Sequence, residues 1–128
     1  MSAKETEEHK KLAVQFLQHV VSGRIEEGYS KFVDMRGRHH NVFFPAGLAE
    51  LKKAMLENDK DSPNKKLTIK NVLGDGDLVA IHSHIVLNPG DEGMVVVHLF
   101  RFAGDNIVEF WDCGQEIPAN CPNADGPF

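Results

Sequence analysis

The sequence predicts an α+β domain in which helices come first and an antiparallel sheet follows. Two observations carry that reading. Apolar residues recur at helical spacing up to residue 58, and β-branched and aromatic runs with strand alternation take over from residue 66. Tight-turn chemistry, Gly74-Asp75-Gly76-Asp77 and Ala103-Gly104-Asp105-Asn106, separates those runs. Helices segregated from strands exclude the alternating order of a parallel α/β sheet. A meander needs one face covered, and amphipathic helices can cover it. The expected shape is therefore a cone: three N-terminal helices packed on a strongly curved mixed or antiparallel sheet. At 128 residues the chain can bury a core of its own and reads as one domain, 1–128.

The first helix is expected over residues 2–21. Ser2 and Glu5 have capping-box spacing, Ala13, Phe16, Leu17, Val20 and Val21 form an apolar stripe, and Gly23 suits the stop. A shorter helix covers 25–33, with Ile25, Tyr29, Phe32 and Val33 turned inward. Residues 34–37 lead out of it, and 39–44, HHNVFF, read as a short strand or extended segment. Pro45-Ala46-Gly47 turns the chain into a third helix over 48–58, whose stripe is Leu48, Leu51 and Met55. The polar run 59–65 reads as a loop. Strands follow at 67–73, 78–87 and in the hairpin 94–115, and the proline-bearing tail from Ile117 is expected to be irregular.

Charge and composition narrow the function. A net charge of −5 with no block of Lys or Arg argues against nucleic acid as a partner, because phosphate binding needs a basic patch. No apolar run is long enough for a bilayer, and the acidic, helical start is unlike a signal peptide. Cys113 and Cys121 read as free thiols, which fits a cytoplasmic protein. Gly-rich phosphate loops, nucleophile elbows and Cys-His signatures do not occur in the sequence.

The hairpin 94–115 holds the candidate chemistry. Period-two alternation puts His98, Phe100 and Phe102 on one face, and Val108, Phe110 and Asp112 on one face of the return strand. A three-residue Gly104-Asp105-Asn106 loop closed by Ala103 and Ile107 pairs Arg101 with Glu109, Phe100 with Phe110, and His98 with Asp112. An even-length register puts the two apolar sets on opposite faces, so the odd one is preferred. Asp112 then sits beside two phenyl rings. A carboxylate there is paired or meets a desolvation penalty of several kcal/mol, and such a group suits a general base taking a proton next to a carbonyl. His98 is placed to orient Asp112, act as acid or donate to a developing oxyanion.

Other residues complete the expected pocket. His82 and His84 share one strand face, and if that face is inward they line the pocket with His98. Ile81 and Ile85 then face outward, where a homodimer through the outer sheet face covers them. His40 and Asn41 reach the cone mouth, and Tyr29 is expected in the core with some pocket lining. Arg101 and Glu109 form a structural pair on the outer face, with Trp111 beside them. The His-x-His of 82–84 with His98 and Asp112 also offers enough donors for zinc or iron, although nothing in the spacing fixes their convergence.

The string HLFRFAGDNIVEFWDCGQ resembles the C-terminal signature of SnoaL-like proteins in the nuclear-transport-factor-two-like superfamily. The resemblance rests on Phe100-Arg101, Gly104, Ile107-Val108-Glu109, Trp111-Asp112 and Gln115. His40-Asn41 resembles the family's His-Asn before its third helix, and Val79-Ala80-Ile81-His82-Ser83-His84 its His-bearing strand. The ending Asn123-Ala124-Asp125-Gly126-Pro127-Phe128 is similar to the family's Asn-Gly-Phe. Three positions depart from the pattern: Phe110 where many relatives carry His, His98 where many carry Asp, and Val42 where Pro often follows His-Asn. The resemblance implies the cone fold for most of the chain. It leaves the reaction open, since the superfamily spans polyketide cyclases, ketosteroid isomerases, epoxide hydrolases, dehydratases and pure binding modules.

Together these readings point to a SnoaL-like small-molecule enzyme of isomerase, aldol-cyclase or dehydratase type. Asp112 and His98 are the expected catalytic pair. His40, Asn41, His82, His84, Phe100, Phe110 and Tyr29 are the expected substrate contacts. A small apolar or carbonyl-containing molecule is the expected partner, with no cofactor and no metal, in a cytoplasmic homodimer. The alternatives are a non-catalytic binding module on the same pocket and a His-ligated metal-dependent variant.

Overall fold

The computed structural model describes residues 2–128. Among them are helices α1 (Ala3–Val21), α2 (Ile25–Phe32) and α3 (Leu48–Asp61), and strands β1 (Val33–His39), β2 (Lys66–Asp75), β3 (Leu78–Val86), β4 (Met94–Ala103) and β5 (Asn106–Glu116). The strands form one sheet in the order β1-β5-β4-β3-β2, antiparallel except for the parallel β1–β5 pair. The α+β class and the helix positions match the sequence reading, with α3 running three residues further. Among the described residues no helix is long and apolar enough to cross a membrane.

α1 starts where its capping box dictates. Ser2 accepts from the Glu5 amide at 3.1 Å, and Glu5 accepts from the Ser2 amide at 3.3 Å. Its stripe then buries Ala13, Phe16, Leu17 and Val20 against the sheet. Phe16 is the centre of the core. Tyr29, Phe32, Phe100 and Phe110 meet it edge-on, with ring centroids 5.4–6.5 Å away. Truncating such a ring to alanine costs about 3–5 kcal/mol.

The first strand lies earlier than expected. Residues 33–39 are extended, and residues 40–47, expected to include strand at 39–44, form the loop into α3. The segment Asp-Met-Arg-Gly-Arg lacks an apolar alternation, so its strand state comes from parallel pairing with β5, Val33 opposite Ile107 and His39 opposite Phe110. Gly37 permits this approach. A Cβ at that position would collide with the Val108 carbonyl.

The β4–β5 hairpin has the predicted partners by a different route. Arg101 faces Glu109, Phe100 faces Phe110 and His98 faces Asp112. The turn, however, holds two residues, Gly104 and Asp105, and Ala103 pairs with Asn106. An even turn alone shifts the faces by one. A bulge corrects it: Phe102 pairs with Ile107 and Arg101 with Glu109, which leaves Val108 unpaired. Ile107, not Val108, therefore joins Phe110 in the core.

His9 is 3% exposed. Its ring stacks on Phe102 at 4.5 Å and its Nε2 donates to the Gly104 carbonyl at 2.9 Å, tying α1 to the hairpin turn.

Candidate active site

Reading the sheet across its strands fixes what faces the helices. Ile81, His98 and Asp112 form one row across β3, β4 and β5, and Val79, Phe100 and Phe110 form the next. Ser83 and Val96 continue the same face. All of these point toward α1, α2 and α3, because cross-strand partners share a face.

A cavity of about 210 Å³ opens over the Ile81–His98–Asp112 row. Leu17, Val20 and Val21 of α1, Leu51, Ala54 and Met55 of α3, and Leu67 and Ile85 of the sheet make it mainly apolar. Asn41 and Phe44 stand at its loop side, and His98 and Asp112 in its floor. It is smaller than the roughly 300–1,000 Å³ of most ligand clefts, so it suits a small molecule.

Asp112 is half-buried and accepts twice from the Asn41 side chain, with Nδ2 3.1 Å from Oδ1 and 3.0 Å from Oδ2. The amide cannot flip, because Asn41 Oδ1 accepts from the Phe43 amide at 2.9 Å. His39 holds the backbone beneath. Its Nε2 donates to the Pro45 carbonyl at 2.8 Å while its Nδ1 accepts from the Asn41 amide at 3.1 Å. This arrangement requires the neutral Nε2–H tautomer of a 7%-exposed ring. His39 is a positioning residue that the sequence reading passed over. Its only signal was period two, which turns His39 and Asn41 to the inner face and His40 outward.

His98 stands opposite Asp112 in the register, yet no hydrogen bond joins them among the described residues. The His98 ring lies parallel to Phe100, centroids 6.0 Å apart. Its Nδ1 is enclosed without a partner. Burial lowers its pKa, and the Asp112 charge opposes that shift only in part. His98 is thus neutral near pH 7 and free to donate one N–H to a ligand oxygen.

Tyr29, Phe100 and Phe110 lie under the cavity rather than at its wall. All three are buried in the core, and Tyr29 stacks on Phe110 at 6.3 Å. The Tyr29 hydroxyl donates to Met55 Sδ at 3.0 Å, and burial pushes its pKa up. Their part is to set the floor and the position of Met55.

His40, His82 and His84, expected as substrate contacts, are on the other side of the sheet. His82 pairs with Val97 and His84 with Val95, so both face away from His98. The reason is the inward alternation of Val79, Ile81, Ser83 and Ile85, which claims the helix side. Phe128 of the tail lies 5.6 Å from the His82 ring and 4.9 Å from the His84 ring. His40 stacks on Trp111 at 5.2 Å and bonds Glu109 at 2.6 Å. Arg101 also reaches Glu109, at 3.3 Å, as expected of the outer-face pair. The His40 bond, then Arg101 and Arg38, hold the Glu109 carboxyl below the usual range against the effect of burial.

The proposed metal donors therefore do not converge: two histidines are outside the sheet, His98 and Asp112 inside. Among the described residues no group of three or more His, Cys, Asp or Glu side chains is placed to hold a metal ion. Cys113 and Cys121 are free and exposed.

Comparison with solved structures places this architecture. A ketosteroid isomerase candidate from Kribbella flavida superposes with a TM-score of 0.71 at 21% identity, over 93% of this chain and 86% of that one. The chain has the fold of the ketosteroid isomerase-like, SnoaL-like and NTF2-like proteins. A candidate SnoaL-like polyketide cyclase from Jannaschia sp. CCS1 gives a TM-score of 0.75 at 12% identity, with 90% of each chain covered. AclR, a candidate hydroxylase from Streptomyces galilaeus, gives 0.68 at 20% identity over 88% of this chain and 82% of that one. No protein-family model and no curated protein matches the sequence. This cone fold carries several chemistries, so the reaction has to be argued from the cavity.

Proposed function

We propose that the cavity is the active site of a small-molecule enzyme that removes a proton next to a carbonyl group. One observation carries this reading: in the floor of an apolar cavity, a carboxylate clamped by Asn41 stands beside a neutral histidine with an uncommitted N–H. Asp112 is the general base. The proton passes from the substrate carbon to an Asp112 oxygen, and the C–H electron pair moves onto the carbonyl oxygen as an enolate. His98 donates a hydrogen bond to that oxygen, where charge develops. Returning the proton to another carbon completes an isomerisation; attack of the enolate on a second carbonyl, with the Asp112 proton going to the new alkoxide, gives a cyclisation, and loss of a β-hydroxyl, with that proton leaving on it as water, gives a dehydration. Isomerase and cyclase, the activities named for two of the structural neighbours, belong to this range.

A binding module is the second reading, favoured by the missing His98–Asp112 hydrogen bond, which leaves the pair without a proton relay. The two separate cleanly. Small cyclic ketones and 3-oxo acids are incubated with the protein in D2O and hydrogen–deuterium exchange next to the carbonyl is followed by proton NMR. The enzyme reading expects catalysed exchange that falls at least about 10²-fold in Asp112→Asn, with ligand binding retained. Binding without exchange by any ketone leaves the module.

The outer sheet face, with Val97 and Leu73 exposed, supports a homodimer as the assembly. Light scattering on the purified chain tests it. Two exposed free thiols fit a reducing, cytoplasmic setting.

A further inference from the structure

At the β2 side of the cavity lies a feature that the reaction does not use. Lys65 is a loop residue in a polar run, yet its side chain is only 3% exposed. Its Nζ donates to Asp59 Oδ1 at 3.0 Å and, more weakly, to the Ser62 carbonyl at 3.4 Å. An ammonium has three protons, and Lys65 borders the cavity with one uncommitted. Asn58 borders it too, one turn beyond Met55 on the same α3 stripe. Asn58 is half-buried, and its side-chain amide carries two donor protons. The third Lys65 proton and the Asn58 amide thus border one end of an apolar cavity.

The opposite end holds Asp112. Lys65 leads into β2 and Asp112 is on β5, and two strands, β4 and β3, lie between them. At about 4.8 Å per strand that is roughly 14 Å along the sheet, bridged by Leu67 and Ile85 beneath and Leu51 and Met55 above. A bare anion gains nothing from that apolar middle. A neutral hydrocarbon offers no acceptor to the third Lys65 proton or to the Asn58 amide, so an acceptor at that end adds bonds a hydrocarbon cannot make.

We propose that Lys65 and Asn58 bind a carboxylate, so that the site takes a small apolar carboxylate whose other end meets Asp112. This rests on the reading of the cavity as a substrate site. The carboxylate sits far from the Asp112 charge, and a charge-assisted bond from a buried ammonium gives it specificity over the corresponding alcohol. Lys65 is a binding and specificity residue here, not a base.

The test uses hexanoate and 1-hexanol as probes, with the Met55 methyl signal of methyl-labelled protein as readout. Hexanoate is expected to bind about tenfold or more tightly than 1-hexanol, the difference a net charge-assisted bond makes. Lys65→Met, which keeps the apolar stem, is expected to abolish the preference. Asp59→Asn, which frees the ammonium from its counter-ion, is expected to strengthen it. A purely structural lysine would lose stability in both variants and show no such opposite shifts. The double variant Asp59→Asn/Lys65→Met removes both charges together and keeps the comparison possible if Lys65→Met alone unfolds. Equal binding of the two probes, or a preference that survives loss of Lys65, overturns the proposal and leaves the cavity reading standing. No movement of the Met55 signal with either probe overturns both.

Discussion

Asn41 donates its side-chain amide to both oxygens of Asp112, and among the described residues no other side chain bonds that carboxylate. The contact joins a loop to a strand 71 residues away, so the aim of the candidate base depends on how the 40–47 loop is held. Asn41→Ala is expected to lower carbonyl-directed exchange by about 10–10²-fold, the scale of a misplaced catalytic group. Steady-state exchange kinetics should assign the loss mainly to kcat. An unchanged kcat in a folded Asn41→Ala protein would remove Asn41 from the machinery.

His39 acts on Asp112 only through Asn41. Replacing it with Phe leaves the Pro45 carbonyl and the Asn41 amide without their partner in a buried setting, a cost of about 1–3 kcal/mol for each group left unsatisfied. Thermal unfolding measures that part. The functional part appears in a double-mutant cycle. If His39 works by placing Asn41, the loss in His39→Phe/Asn41→Ala should be close to that of Asn41→Ala alone. Additive losses would mean that His39 reaches the site by another route.

The His98 register shows how far sequence reasoning reaches. Opposing His98 to Asp112 followed from alternation together with a supposed three-residue turn, and the pairing is correct. The same parity argument chose a three-residue turn, whereas the chain uses a two-residue turn and a bulge at Val108. The two solutions have equal parity, so apolar patterning cannot distinguish them. His82 and His84 were harder. Both faces of β3 carry apolar or amphipathic groups, and which one meets the helices depends on Ile81 and Ser83 pairing with His98 and Val96. β1 was hidden for a related reason: Asp34 to Arg38 have no strand pattern and are held by β5. Lys65 and Asn58 read as ordinary polar residues because burial by α3 and β2 is not local information.

The outer-face placement gives a sharp test of the metal alternative. A His82→Ala/His84→Ala variant is expected to keep exchange activity within about twofold, as for surface changes away from a site. Metal analysis of protein purified without a histidine tag should find no stoichiometric zinc or iron dependent on these residues. A large loss of activity in this variant would mean that the tail or the sheet couples His82 and His84 to the cavity.

Gly37 carries the β1–β5 junction. The methyl group of Gly37→Ala points at the Val108 carbonyl, backbone that cannot rotate away. Relief requires separating the strands or shifting the bulge, and the expected destabilisation is about 2–4 kcal/mol, in the range of overpacking with lost strand pairing. Denaturant unfolding measures it. A change below about 0.5 kcal/mol would show that the bulge at Val108 adapts freely.

His98 contributes a pH dependence to stability. Its folded pKa is lowered by burial, while the unfolded value is about 6.5. Between those two values the unfolded chain binds the extra proton, so stability rises with pH through that window. Read downward, the contribution of neutral His98 is intact above about 6.5 and is lost as pH falls toward the folded pKa. His98→Gln cannot take up that proton, so the wild-type-minus-variant difference in unfolding free energy should shrink on acidification and then level off. Asp112→Asn gives the opposite control. The Asp112 charge raises the His98 pKa, so removing it should move the His98 ring titration, followed by NMR, to still lower pH. A His98 ring that titrates at about 6.5 in both proteins would mean that the ring is hydrated and that the cavity is not the dry, base-bearing site argued here.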